Sequence, residues 1–61
     1  MEIKITNENG NVVFVGDAEL YLEMEDNDTE LELMLNALDY AGINEVYYGD
    51  LLIEKEIELI Y

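Results

Sequence analysis

Cysteine, histidine, arginine, proline, tryptophan, serine and glutamine are all missing from this chain. Without cysteine there is no disulfide framework, no thiolate nucleophile and no zinc site of the usual kind. Without histidine or serine the common catalytic triads, and most general-base arrangements, cannot be assembled. Positive charge is nearly missing too: two lysines face 16 acidic residues, for a net charge of −14. Direct binding to DNA, RNA or an anionic membrane is opposed by that charge alone. No long apolar stretch follows Met1-Glu2-Ile3-Lys4-Ile5, so no signal peptide is expected, and runs such as Val12-Val13-Phe14-Val15 are too short to span a membrane. A cytoplasmic location is the expectation.

What is present is apolar as well as acidic. Apolar residues make up 51% of the 61, with five tyrosines and one phenylalanine. Disordered acidic segments are poor in aromatic and β-branched residues, so a folded unit is expected. The length fits one domain, residues 1–61. A core this small is only marginally sufficient, and self-repulsion weakens it further.

Turn signals divide the chain. Asn9-Gly10 lies between Ile3-Lys4-Ile5-Thr6 and Val12-Val13-Phe14-Val15, a hairpin pattern. Gly16-Asp17 precedes Ala18 to Glu25, where apolar and other residues alternate with period two, the mark of a half-buried strand. Gly49-Asp50 separates Glu45-Val46-Tyr47-Tyr48 from the run that starts at Leu51. Between these, Leu31, Met34, Leu35, Leu38 and Ala41 recur with helical period. Asp28 or Thr29 can cap that helix, Thr29 with Glu32 has capping-box spacing, and Gly42 supplies a stop. The expected fold is α+β: an antiparallel sheet of about five strands in the order β-β-β-α-β-β, with one helix packed on one face.

Register decides where the carboxylates point. A two-residue Asn9-Gly10 turn would place Ile5 opposite Phe14 and Ile3 opposite Gly16, away from Val13 and Val15. A three-residue loop, Glu8-Asn9-Gly10, with Gly10 left-handed, pairs Ile5 with Val13 and Ile3 with Val15, so that the apolar faces agree, and is preferred. Two-residue turns at Gly16-Asp17 and Gly49-Asp50 then place Val13 opposite Leu20, Tyr48 opposite Leu51 and Val46 opposite Ile53. One face becomes apolar. The other carries Glu2, Glu19, Glu23, Glu25, Glu45, Glu54, Glu56 and Glu58, with Phe14, Tyr21, Tyr47 and Leu52 among them and Lys4 as a lone cation. Lys55 falls near the end of the apolar face.

A sheet with one covered face needs polar groups on the other, which explains polarity but not its sign. Glu45 facing Glu54 is a destabilising like-charge pair. Alternate residues on a strand stand about 6.6 Å apart. That is of the order of the distance between neighbouring phosphates on DNA, whose axial rise is about 3.4 Å with lateral displacement added. The rows Glu54-Lys55-Glu56-Ile57-Glu58 and Glu23-Met24-Glu25-Asp26 carry this pattern. In size and charge the chain resembles the small acidic DNA-mimic inhibitors of phages and mobile elements: anti-restriction proteins, uracil-DNA glycosylase inhibitors and anti-CRISPR proteins. The resemblance implies occlusion of a nucleic-acid-binding groove on a host defence or repair protein, with an anti-CRISPR role favoured, acting in the host cytoplasm. The partner-binding residues expected are Phe14, Glu19, Tyr21, Glu23, Glu25, Glu45, Tyr47, Glu54, Glu56 and Glu58. Two alternatives are a homodimeric module that buries the aromatic face, and an acidic immunity or antitoxin protein that neutralises a basic toxin. No cofactor and no enzymatic activity are expected. Asp26, Asp28 and Glu30 are spaced like the start of a calcium loop, but Leu31 and Ala37 stand where glycine and glutamate belong, so capping explains them better.

Overall fold

The computed structural model describes residues 1–56. Among these the chain forms β1 (Glu2–Thr6), β2 (Val12–Asp17), α1 (Ala18–Met24), α2 (Thr29–Tyr40), β3 (Glu45–Tyr48) and β4 (Leu51–Lys55). The four strands make one antiparallel sheet in the order β2-β1-β4-β3. Both helices pack on the same face. Ile3, Ile5 and Ile53 from the two central strands are fully buried there against Ala18, Tyr21, Leu31, Leu35 and Leu38. The α+β class and the antiparallel sheet are as the pattern predicts, while strand and helix numbers differ.

The difference lies at residues 18–24, expected as a strand and found as α1. The run Ala-Glu-Leu-Tyr-Leu-Glu-Met has no β-branched residue and consists mostly of strong helix formers. Ala18 and Tyr21, its buried residues, are three apart, which suits a helix and not a strand. Asp17 ends β2 and at once caps the helix, its carboxylate accepting from the Glu19 N–H at 2.8 Å. Gly16-Asp17 is therefore a strand-to-helix junction and not a hairpin turn.

The first hairpin holds a second correction. Asn7 and Asn11 close the three-residue loop, the Asn7 N–H donating to the Asn11 carbonyl at 2.9 Å, and Gly10 is left-handed at φ 82°. The loop is the one expected. Beyond Thr6, which pairs with Val12, the register shifts by one at a bulge, and Ile5 pairs with Phe14, Ile3 with Gly16. One extra residue turns the rest of the strand over. Val13 and Val15 leave the core face, and Phe14 enters it. The Phe14 ring lies close to Gly16, where a Cβ would come within 3.2 Å of it, and stacks on Tyr21 at 5.0 Å between centroids, tilted by 47°.

The second hairpin matches expectation. Tyr48 pairs with Leu51, Val46 with Ile53 and Glu45 with Glu54. Gly49 takes φ 63°, the positive value that a two-residue hairpin turn requires. In α2 the cap is Asp28, whose carboxylate accepts from the Leu31 N–H at 3.1 Å, so Thr29 is the first helical residue and not the cap. Ala41 and left-handed Gly42 close the helix.

Candidate interaction surface

The acidic residues do not share one face as expected, and two surfaces gather several of them. The first is a groove of about 420 Å³ between α1 and α2. Glu19 and Glu23, four apart on α1, line one wall. Glu32, Asn36 and Asp39, on one face of α2, line the other, with Asn27 and Tyr40. Met1, Ala18, Leu22 and Leu35 complete the lining. All four carboxylates are exposed. Glu19, and Glu32 in the first turn of α2, sit where the helix dipole favours negative charge. Glu23 and Asp39 do not. They lie near the C-terminal ends of their helices, where neither last turn contains a basic residue. Local helix stability therefore explains half of this charge and opposes the other half, the Lys55 ammonium at the Leu38 carbonyl offsetting part of the cost at Asp39.

The second surface is the face of the sheet that the helices leave uncovered. Glu45, Glu54, Lys4 and Val15 form one row across β3, β4, β1 and β2. Glu54 thus stands between a like charge and an opposite one. Tyr47 is well exposed on this face beside half-buried Leu52, and Val12, Val13 and Val15 are each more than half exposed.

The expected site residues are accordingly divided. Glu45, Tyr47 and Glu54 share the uncovered face as predicted. Glu19 and Glu23 lie on α1, across the sheet from them, and Glu25 is the α1 C-cap. Glu56 follows β4, its N–H donating to the Glu2 carbonyl at 3.0 Å. Phe14 and Tyr21 are on the core side, Tyr21 buried. Glu58 lies outside the described residues. The groove adds Glu32 and Asp39. Asp39, an acid in the last turn of a helix, was the sequence signal for them.

Beneath the loop that joins the helices, the Tyr48 hydroxyl donates to Asp28 Oδ2 at 3.2 Å, tying β3 to the cap of α2. Partial burial and this hydrogen bond hold the Tyr48 phenol above its ordinary value. Burial, then the neighbouring Glu25 carboxylate, does the same for Tyr21. Lys55, half-buried, directs its ammonium to the Leu38 carbonyl at 3.5 Å, near the negative end of α2. Among the described residues no group of three or more acids could hold a metal ion, and no helix is long and apolar enough to cross a membrane. No protein family, curated protein or solved structure matches the chain.

Proposed function

We propose that this protein binds and occludes the nucleic-acid groove of a basic protein, presenting the acidic cleft between its helices in place of phosphates. The observation that carries the reading is the placement of Glu23 and Asp39 against their helix dipoles, in one groove with Glu19 and Glu32. Such charge costs the fold stability, which is understandable if a cationic partner uses it. Each carboxylate offers two acceptor oxygens to arginine or lysine, and a field of −14 steers a basic surface toward it quickly. The chain's size makes an RNA-guided defence nuclease the first target to try.

The test has two steps. Capture from host lysate should retain a protein that binds nucleic acid, and duplex or guide nucleic acid should displace it. Replacing Glu19, Glu23 and Glu32 by Gln and Asp39 by Asn should then weaken binding and flatten its salt dependence. Each desolvated charge-assisted bond lost costs about 1.5–3 kcal/mol, and a rim contact much less. Glu45→Gln with Glu54→Gln, on the other side of the sheet, should change little. Unchanged affinity and salt slope in the groove variant would remove the groove from the mechanism.

A further inference from the structure

We infer that the flank formed by β2 and α1 is a docking surface for a second copy of this chain, joined by antiparallel pairing of the two β2 edges. The inference does not depend on the function proposed above. Three observations carry it.

The first is the distribution of charge. Asn9 to Gly16 is the longest stretch of the sequence without a charged side chain, and it contains nearly all of β2. Edge strands are normally protected by lysine, proline or inward-pointing charge. In a chain with 16 acids, β2 carries no charge apart from Asp17 at its end, and its one other protection is the bulge near its start, opposite Ile5 and Thr6.

The second is the free backbone. β2 is an edge of the sheet among the described residues. The Ala18 N–H donates to the Met1 carbonyl, and hydrogen-bonded pairs alternate along an antiparallel ladder. Gly16 and Phe14 therefore bond inward to Ile3 and Ile5, while Val15 directs its N–H and C=O away from β1 and Asp17 its N–H, the Asp17 carbonyl being taken by the first turn of α1. Pairing about a two-fold axis at Val15 lets the two Val15 residues exchange both hydrogen bonds. Each Asp17 then faces Val13 of the second copy. The two Asp17 residues are about 13 Å apart along the strands, beyond the physiological Debye length of about 8 Å. The seam thus brings no two like charges close together.

The third is the helix alongside. α1 packs against β2. Glu19 and Glu23 turn toward α2. Leu20 and Met24, each one residue further on and so about 100° round the helix, turn away from that groove, and both are more than half exposed. A two-fold axis perpendicular to the sheet keeps all helices on one side and brings the two α1 helices together across the seam. Leu20 and Met24 are then covered, and the acidic grooves stay open to solvent. Paired about Val15, residues 13–17 give a seam about 16 Å long, which places the interface at the small end of specific contacts.

Sedimentation of the protein alone tests this, from about 1 μM to 1 mM, in roughly 0.5 M NaCl to screen repulsion between copies. Wild type should shift from the 7.0 kDa monomer to twice that mass. Val15→Pro removes only an outward N–H and should raise the dissociation constant about tenfold or more. Leu20→Gln with Met24→Gln alters exposed helix positions, leaves the charge unchanged and should weaken the dimer similarly; it decides the matter if the proline variant fails to fold. A wild-type monomer at every concentration would overturn the inference. So would a dimer that resists the Gln pair yet dissociates on Tyr47→Lys, which would move the contact to the uncovered sheet face.

Discussion

Asp28 does two jobs with its two oxygens. One caps α2 at the Leu31 N–H, and the other receives the Tyr48 hydroxyl. Asp28→Ala should cost about 0.5–2 kcal/mol through the cap alone. Asp28→Asn should recover most of that, because asparagine caps as well; urea midpoints of the two variants provide the comparison. The tyrosines set a pH dependence whose sign follows from their shifts. Tyr48 and Tyr21 keep their protons in the folded chain to higher pH than in the unfolded one. Above about pH 10 the unfolded chain therefore binds fewer protons, and stability falls as pH rises through the folded values. Their contribution is fully present below pH 10. Urea midpoints should drop as pH rises above about 10, and Tyr48→Phe should make that drop shallower. An equally steep decline in Tyr48→Phe would mean that Tyr48 is not one of the groups responsible.

At the scale of elements, legibility followed how many independent signals agreed. The Gly49-Asp50 hairpin combines a turn glycine with apolar partners on both sides, and its register, including Glu45 opposite Glu54, was readable pair by pair. That pair makes its own prediction. Glu45→Lys converts repulsion into attraction beside Glu54 and should stabilise by about 0.2–1 kcal/mol. A melting temperature unchanged or lowered would show that Lys4, on the other side of Glu54, already offsets the charge. The α2 helix was equally legible, since period, cap and stop coincide. The run 18–24 was not, because period-two alternation and helical spacing both fit so short a stretch. Propensity favoured the helix and was outweighed by the expectation of a hairpin at Gly16-Asp17. The bulge beyond Thr6 was hidden for another reason. A one-residue insertion leaves no mark in composition, and either register buries a plausible set of side chains. Only the Phe14–Tyr21 contact, which joins β2 to a helix the pattern had not shown, makes the observed register the better one. The candidate site inherits both errors. Acidic residues were expected in rows along strands, and Glu19 and Glu23 stand on α1 instead, with Glu25 at its end.

For the molecule as a whole, the question is what the acidic groove costs. Four carboxylates make six pairs; at about 10 Å in water each pair repels by about 0.4 kcal/mol, or about 2 kcal/mol together before screening. A domain of this size has only a few kcal/mol in hand, so the term is large relative to what remains. Some repulsion persists in the unfolded chain, so the net penalty is smaller. Raising NaCl from about 0.01 M to 0.5 M shortens the Debye length from about 30 Å to about 4 Å and should remove most of it. Since 1 kcal/mol moves the midpoint of a small domain by about 4–8 °C, the melting temperature should rise on the order of 5 °C. Chloride acts on every charge at once, so the groove's share needs a second measurement. Replacing Glu19, Glu23 and Glu32 by Gln and Asp39 by Asn should raise the low-salt melting temperature and leave a smaller further gain from NaCl. If wild type and variant respond to salt equally, the groove acids do not strain the fold. Their position against the helix dipoles would then no longer call for a partner to explain it.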